Sequence, residues 1–241
     1  MRFLKQSDHL EKTTPGLDSA SDYHTHPDGF GLAGFDNGKW TVYKNPRLYH
    51  EVENLAEIVK KMATHSLVIG HIRKMDTTYS TVQKENTHPF YYRNHVFLHN
   101  GYLNNYAVHR HELRRHISPY LRTHIKGDTD TETMFYLFLS ILRKREIGVE
   151  TLVESVQELF RMVASIVPAY NANIIYGNKE YSLVTRFSHG PQDSPSLYLN
   201  RINERGVLIT SEPVSRSFRL IPKKTMVVVN HRTGEIYTQS L

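Results

Sequence analysis

The sequence predicts an α+β protein whose sheets are largely antiparallel. Three observations carry that expectation. Strand-like segments come first, helical segments gather in the middle, and many strand-like segments follow. Four segments place apolar residues at helical spacing, and two hairpin-like turns, Gly177-Asn178 and Thr233-Gly234, punctuate the strand-rich C-terminal third. Strands and helices alternating one by one would instead have pointed to βαβ units around a parallel sheet.

The first helix is expected over 50–65, where Val52, Leu55, Val59 and Met62 fall on one face. The second covers 105–118 and breaks near Pro119. The third, 130–145, is apolar nearly all round from Met134 to Leu142, which marks a helix buried in a core. The fourth, 149–167, has Leu152, Val156, Leu159, Phe160 and Val163 in register before Pro168 stops it. Strands are expected at Leu32–Phe35, Trp40–Lys44, Leu67–Arg73, His95–His99 and Asn173–Tyr176. The remaining strands are Ser182–Phe187, Ser196–Arg201, Val207–Ser211, Met226–Asn230 and Glu235–Gln239.

Composition bounds the function. A chain of 241 residues suits one sizeable domain, and 39% hydrophobic residues with 15 Tyr and 10 Phe suffice for a core. The absence of cysteine excludes disulfides, thiolate metal sites and a cysteine nucleophile within these residues. No apolar run is long enough for a membrane span, and no signal peptide is visible, so a cytoplasmic home is expected. A net charge of +6 raises the question of nucleic acid. The densest basic stretch runs from His109 to Lys126, with Arg110, Arg114, Arg115 and Arg122. Val108, Leu113, Ile117 and Leu121 interleave there at helical spacing, so a solvated helix face is the expectation and nucleic acid is not.

Several loop segments carry chemistry-bearing residues. Asn100-Gly101 ends an apolar strand; an Asn side-chain N–H beside a Gly backbone N–H can form an oxyanion hole, but a lone Asn-Gly reads first as a hairpin turn. Arg73 also ends an apolar strand, where a guanidinium can grip a carboxylate or simply face solvent. Asp128, Thr129 and Asp130 precede the core helix; Asp128 or Thr129 can cap it, and Asp130 can face an ammonium. His24, His26 and Asp28 form an H-x-H-x-D run in a Pro-Gly loop, which reads as a turn before it reads as a metal site.

Taken in order, these segments resemble the class II glutamine amidotransferases, in particular the small stand-alone branch. The chain shows Asp28-Gly29-Phe30-Gly31, Gly70-His71-Ile72-Arg73, Asn86-Thr87-His88-Pro89-Phe90 and His99-Asn100-Gly101. Asp128-Thr129-Asp130-Thr131-Glu132 and Ser211-Glu212-Pro213-Val214 follow. The resemblance covers roughly residues 26 to 230 and implies a four-layer αββα sandwich of the N-terminal-nucleophile hydrolase type. It implies that Arg73 binds the α-carboxylate of glutamine, Asp130 its α-ammonium, and Asn100 and Gly101 the oxyanion, with His88, Asp28 and Gly29 shaping the pocket. It implies no cofactor and no metal. The partners it implies are glutamine or another γ-glutamyl compound, and a second protein that uses the ammonia or completes a complex.

One departure stands out. Family members begin Met-Cys, and the exposed cysteine attacks the amide with its own amino group as base. Here residue 2 is Arg, whose size disfavours removal of Met1. Phe3-Leu4-Lys5-Gln6-Ser7 resembles a segment internal to the family's domain, so the expectation is a single amidotransferase domain over 1–241, truncated at its N-terminus and lacking its first strand. The alternative expectation is a catalytically inactive binding or regulatory subunit.

Overall fold

The computed structural model describes residues 28–47, 49–73, 80–143, 145–204, 206–213 and 215–241. The chain forms two compact units that divide between Asn94 and His95.

In the first unit, β1 (Phe30–Asp36) and β2 (Lys39–Asn45) form a hairpin whose turn, Asn37-Gly38, has positive φ at both residues. β3 (Leu67–Ile72) pairs with the other edge of β1, so the order is β2-β1-β3, all antiparallel. As the middle strand, β1 is buried continuously from Phe30 to Phe35 rather than at alternate positions. Phe30 leans on Tyr43 and Phe35 on Trp40, with centroids 5.6 and 5.0 Å apart. Helix α1 (Leu55–Met62) is shorter than the apolar pattern suggests and buries Met62. A 3-10 turn, Lys84–Asn86, leads to the short strand β4 (Phe90–Tyr92).

The second unit begins with β5 (His95–Leu103), followed by α2 (Tyr106–Arg115) and α3 (Pro119–Arg122). The long helices α4 (Asp130–Leu142) and α5 (Val149–Ala164) come next. The strands are then β6 (Tyr170–Gly177), β7 (Tyr181–Arg186), β8 (Ser188–His189) and β9 (Tyr198–Arg201). The chain ends with β10 (Val207–Thr210), β11 (Arg219–Leu220), β12 (Thr225–Asn230) and β13 (Ile236–Ser240). One antiparallel sheet runs β13-β12-β7-β6-β5, with β8 against β6, and a smaller sheet runs β10-β9-β11.

The expected core helix is the core helix. In α4, every residue from Asp130 to Leu139 is buried. Phe97 of β5 stacks on Phe135, and Phe138 meets Tyr176 of β6 edge-on, with centroids 5.5 and 5.1 Å apart. α5 turns Leu152, Val156, Leu159, Phe160 and Val163 inward. Each such apolar side chain taken from water stabilises the fold by about 2 kcal/mol.

Two expectations are corrected. The second helix stops at Arg115, and Pro119 opens the separate helix α3 at its first turn, where its missing N–H has no helical acceptor to lose. Val108 is 77% exposed, and Tyr106 at 0% is the anchor instead. The buried face of α2 runs through Tyr106 and Leu113, two turns apart, and Val108 lies about 200° round the helix from Tyr106.

Candidate functional site

In the first unit, backbone pairing continues one residue past the ends of β1 and β3. Arg73 N–H donates to Gly29 O at 2.8 Å, and Asp28 N–H donates to Arg73 O at 3.2 Å. Asp28, Gly29 and Arg73 are thereby brought together at one strand end. Gly29 has φ +107°, and a Cβ there would lie 2.6 Å from Asn45 O, so only glycine fits the approach. Arg73 is buried, and its Nη2 donates to Ser80 Oγ at 2.6 Å. Asn86 Nδ2 holds the same region by donating to Thr81 O at 3.0 Å. A guanidinium fixed in this way is pre-oriented for a bidentate partner.

His88 is also buried. Its Nδ1 lies 3.0 Å from His71 Nδ1, and its ring meets Phe90 edge-on at 5.2 Å. Ser80 lies in a segment without periodicity and carries no signal in the sequence; His71 is visible there only as part of Gly70-His71-Ile72-Arg73, with no role of its own.

In the second unit, Asn100 and Gly101 lie inside β5, not at its end. Asn100 is opposite Asn173 and Gly101 opposite Ala172 of β6. The hairpin-turn reading of Asn100-Gly101 is therefore corrected: the strand runs on to Leu103. A Cβ at Gly101 would collide with Asn171 O and come within 2.6 Å of His99 Nε2. Gly101 is required here by close approach rather than by a turn.

Asp130 is the first residue of α4 and is buried. Its Oδ2 accepts Leu103 N–H at 2.9 Å and its Oδ1 accepts Thr131 N–H at 2.7 Å. The carboxylate thus ties the end of β5 to the positive end of a helix. Thr129 is the cap: its Oγ1 accepts Glu132 N–H at 3.2 Å. Glu132 reaches back to accept Lys126 and Gly127 N–H at 2.9 and 2.7 Å, fixing the loop that delivers Asp130. Thr133, one turn on, meets Tyr106 hydroxyl at 2.6 Å and accepts from Arg114 Nε at 3.1 Å. Burial pushes the Tyr106 hydroxyl up to about 12, so it stays neutral.

The Asp28 end of the H-x-H-x-D run is described, whereas His24 and His26 lie outside the described residues. Among the described residues no group of three His, Cys, Asp or Glu is placed to hold a metal ion.

A model of the class II glutamine amidotransferases matches residues 15–186 of the chain. The chain belongs to this family. Amidotransferase relatives include the probable glutamine amidotransferase DUG3 of Saccharomyces cerevisiae, 32% identical over 123 residues, which are 48% of this chain and 34% of the yeast protein. The uncharacterised protein MJ1515 of Methanocaldococcus jannaschii is 32% identical over 161 residues, 65% of this chain and 41% of its own length. The matches thus span well under half of either relative.

Among solved structures, a protein from Silicibacter pomeroyi described as a glutamine aminotransferase class-II domain protein superposes with a TM-score of 0.66 at 20% identity, covering 88% of this chain and 91% of that one. The glutamine phosphoribosylpyrophosphate amidotransferase of B. subtilis gives 0.60 at 17% identity, over 89% of this chain and 43% of that one. The amidotransferase chain therefore shares the mixed α+β fold of these structures.

Proposed function

We propose that this amidotransferase domain binds glutamine, or another γ-glutamyl compound, through both ends of its zwitterionic head. Arg73 takes the α-carboxylate and Asp130 the α-ammonium. Asn100 and Gly101 donate to the amide oxygen as it becomes an oxyanion, and Asp28, Gly29 and His88 shape the pocket. The observation that supports this best is the state of Asp130. It is 5% exposed, and among the described residues it accepts from neutral donors, the N–H groups of Leu103 and Thr131 and the Thr131 hydroxyl. A buried carboxylate stabilised by dipoles alone keeps acceptor lone pairs for a cation, and an ammonium is the cation of the right size.

The reaction proposed is hydrolysis of the γ-amide through a thioester, releasing ammonia to an acceptor on a partner protein, in the cytoplasm. The thiol is not among these 241 residues, which contain no cysteine. Loss of a nucleophile costs on the order of a million-fold in turnover. The chain by itself is therefore expected to bind glutamine without hydrolysing it. The second reading, a binding or regulatory subunit, rests on the same missing cysteine.

Calorimetric titration with L-glutamine tests the site. Binding is expected, with Asp130→Asn and Arg73→Met each weakening it by roughly a hundredfold. Absence of binding, or Asp130→Asn binding as well as the parent, would overturn the assignment. A longer chain starting Met-Cys that releases ammonia, and stops on Cys→Ala, decides for the enzyme over the subunit.

A further inference from the structure

His99 is buried at 2% exposure and precedes the proposed oxyanion pair in β5. Its two ring nitrogens face different elements. Nε2 lies 2.7 Å from Asn171 O on β6. A carbonyl only accepts, so Nε2 carries a proton and donates. Nδ1 lies 3.4 Å from Thr131 Oγ1 on α4. The same Thr131 hydroxyl lies 3.3 Å from Asp130 Oδ1. A continuous chain of polar contacts therefore runs from β6 through the imidazole and the threonine hydroxyl to the Asp130 carboxylate. Asn171 O also bounds the space a side chain at Gly101 would fill.

The hydroxyl has one proton and two acceptors at nearly equal distance. It is shared between ring and carboxylate, so the orientation of each depends on the other. Val would match the shape of Thr131 and remove the shared proton.

We propose that His99 and Thr131 are positioning residues that set the Asp130 carboxylate and the Asn100-Gly101 strand as one unit. The ammonium acceptor and the oxyanion donors then keep a fixed separation while neither His99 nor Thr131 touches the substrate. The ligand half of this proposal rests on the glutamine reading above; the linkage half does not.

The test uses the full chain with Thr131→Val and Thr131→Ser, and two measurements. The first is NMR of the free protein, following Asp130 13Cγ and His99 15Nδ1. Thr131→Val is expected to shift both together, and Thr131→Ser to return both to the parent positions. If either signal stays in place in Thr131→Val, the linkage is wrong, whether or not glutamine binds.

The second measurement is affinity for L-glutamine and for 4-carbamoylbutanoate, which is glutamine without its α-ammonium. Thr131→Val is expected to lose roughly tenfold for glutamine and to leave the analogue unchanged, with Thr131→Ser restoring glutamine binding. Equal loss for both ligands means a general structural defect and overturns the positioning role. If the parent chain binds neither ligand, the glutamine reading fails, and the NMR result alone decides the linkage.

Discussion

At the scale of the residue, Asp130 is buried and its Oδ2 accepts the N–H of Leu103, 27 positions away in the chain. Arg73 and Asp130 could be chosen from the sequence because a cation and an anion beside turn residues ask for a use. Their burial could not, because it depends on strands and helices distant in the chain. Gly101 shows the limit most clearly: Asn-Gly has a strong local meaning as a turn, and a neighbouring strand's carbonyl overrides it. A second residue whose behaviour is set by distant partners is His231. Its Nε2 lies 2.8 Å from Ser182 Oγ, and its Nδ1 lies 3.4 Å from Lys179 O. Burial is the main cause that holds its pKa below the usual 6.5. The unfolded chain takes up this proton as pH falls through about 6.5, and the folded chain resists until its lower value is reached. Below about pH 6.5 the unfolded state therefore binds more protons, and stability is lost as pH falls through that window. Urea midpoints across this range are expected to fall on acidification in the parent, with a shallower fall in His231→Gln. Parallel curves for the two proteins would show that His231 contributes nothing to the slope.

At the scale of the element, the ten expected strands and four expected helices are present, since periods of 2 and 3.6 are local properties of the chain. The pieces that escaped are short: β4, β8, β11 and α3 have two to four residues and carry too few positions to show a period. Helix α4 shows how an element is aimed as well as formed. Thr129 Oγ1 caps it, and the Glu132 carboxylate gathers the N–H groups of Lys126 and Gly127. These two side chains stabilise different things, so their loss should differ. Thr129→Ala removes one cap and is expected to cost about 1 kcal/mol. Glu132→Ala strips an acceptor from two N–H groups at once and is expected to cost about 2–4 kcal/mol. Equilibrium urea unfolding of the two variants checks the order; Thr129→Ala as the more damaging change would mean that the loop before Asp130 does not depend on Glu132.

At the scale of the whole molecule, the order of strands and helices predicted the α+β class, and the division between Asn94 and His95 was invisible. It falls within a two-residue link between β4 and β5, with none of the Pro, Gly or Ser enrichment that marks a linker. Net charge is the other whole-molecule property, and the structure changes its meaning. A pI near 9.3 suggests a polyanion partner only if the cations form a free surface. Many of the arginines are committed elsewhere. Arg114 donates to Thr133 and to Gly127 O, Arg122 to Ile117 O, and Arg201 to Gly234 O. Arg186 is buried and donates to Pro195 O and Ile221 O, and Arg145 pairs with Glu158 at 2.6 Å. An arginine held on a carbonyl keeps its charge, but it is less free to swing toward a phosphate. Binding through Z phosphate contacts would give an affinity that falls with salt at a slope of about −0.9Z. The expected result is therefore no detectable complex with duplex DNA or single-stranded RNA at about 150 mM salt. Weak association at low salt should carry a slope equivalent to only one or two phosphate contacts. Fluorescence anisotropy across a salt series measures both. A slope near −5 or steeper, independent of sequence, would show that the basic stretch from His109 to Lys126 acts as a nucleic-acid surface after all.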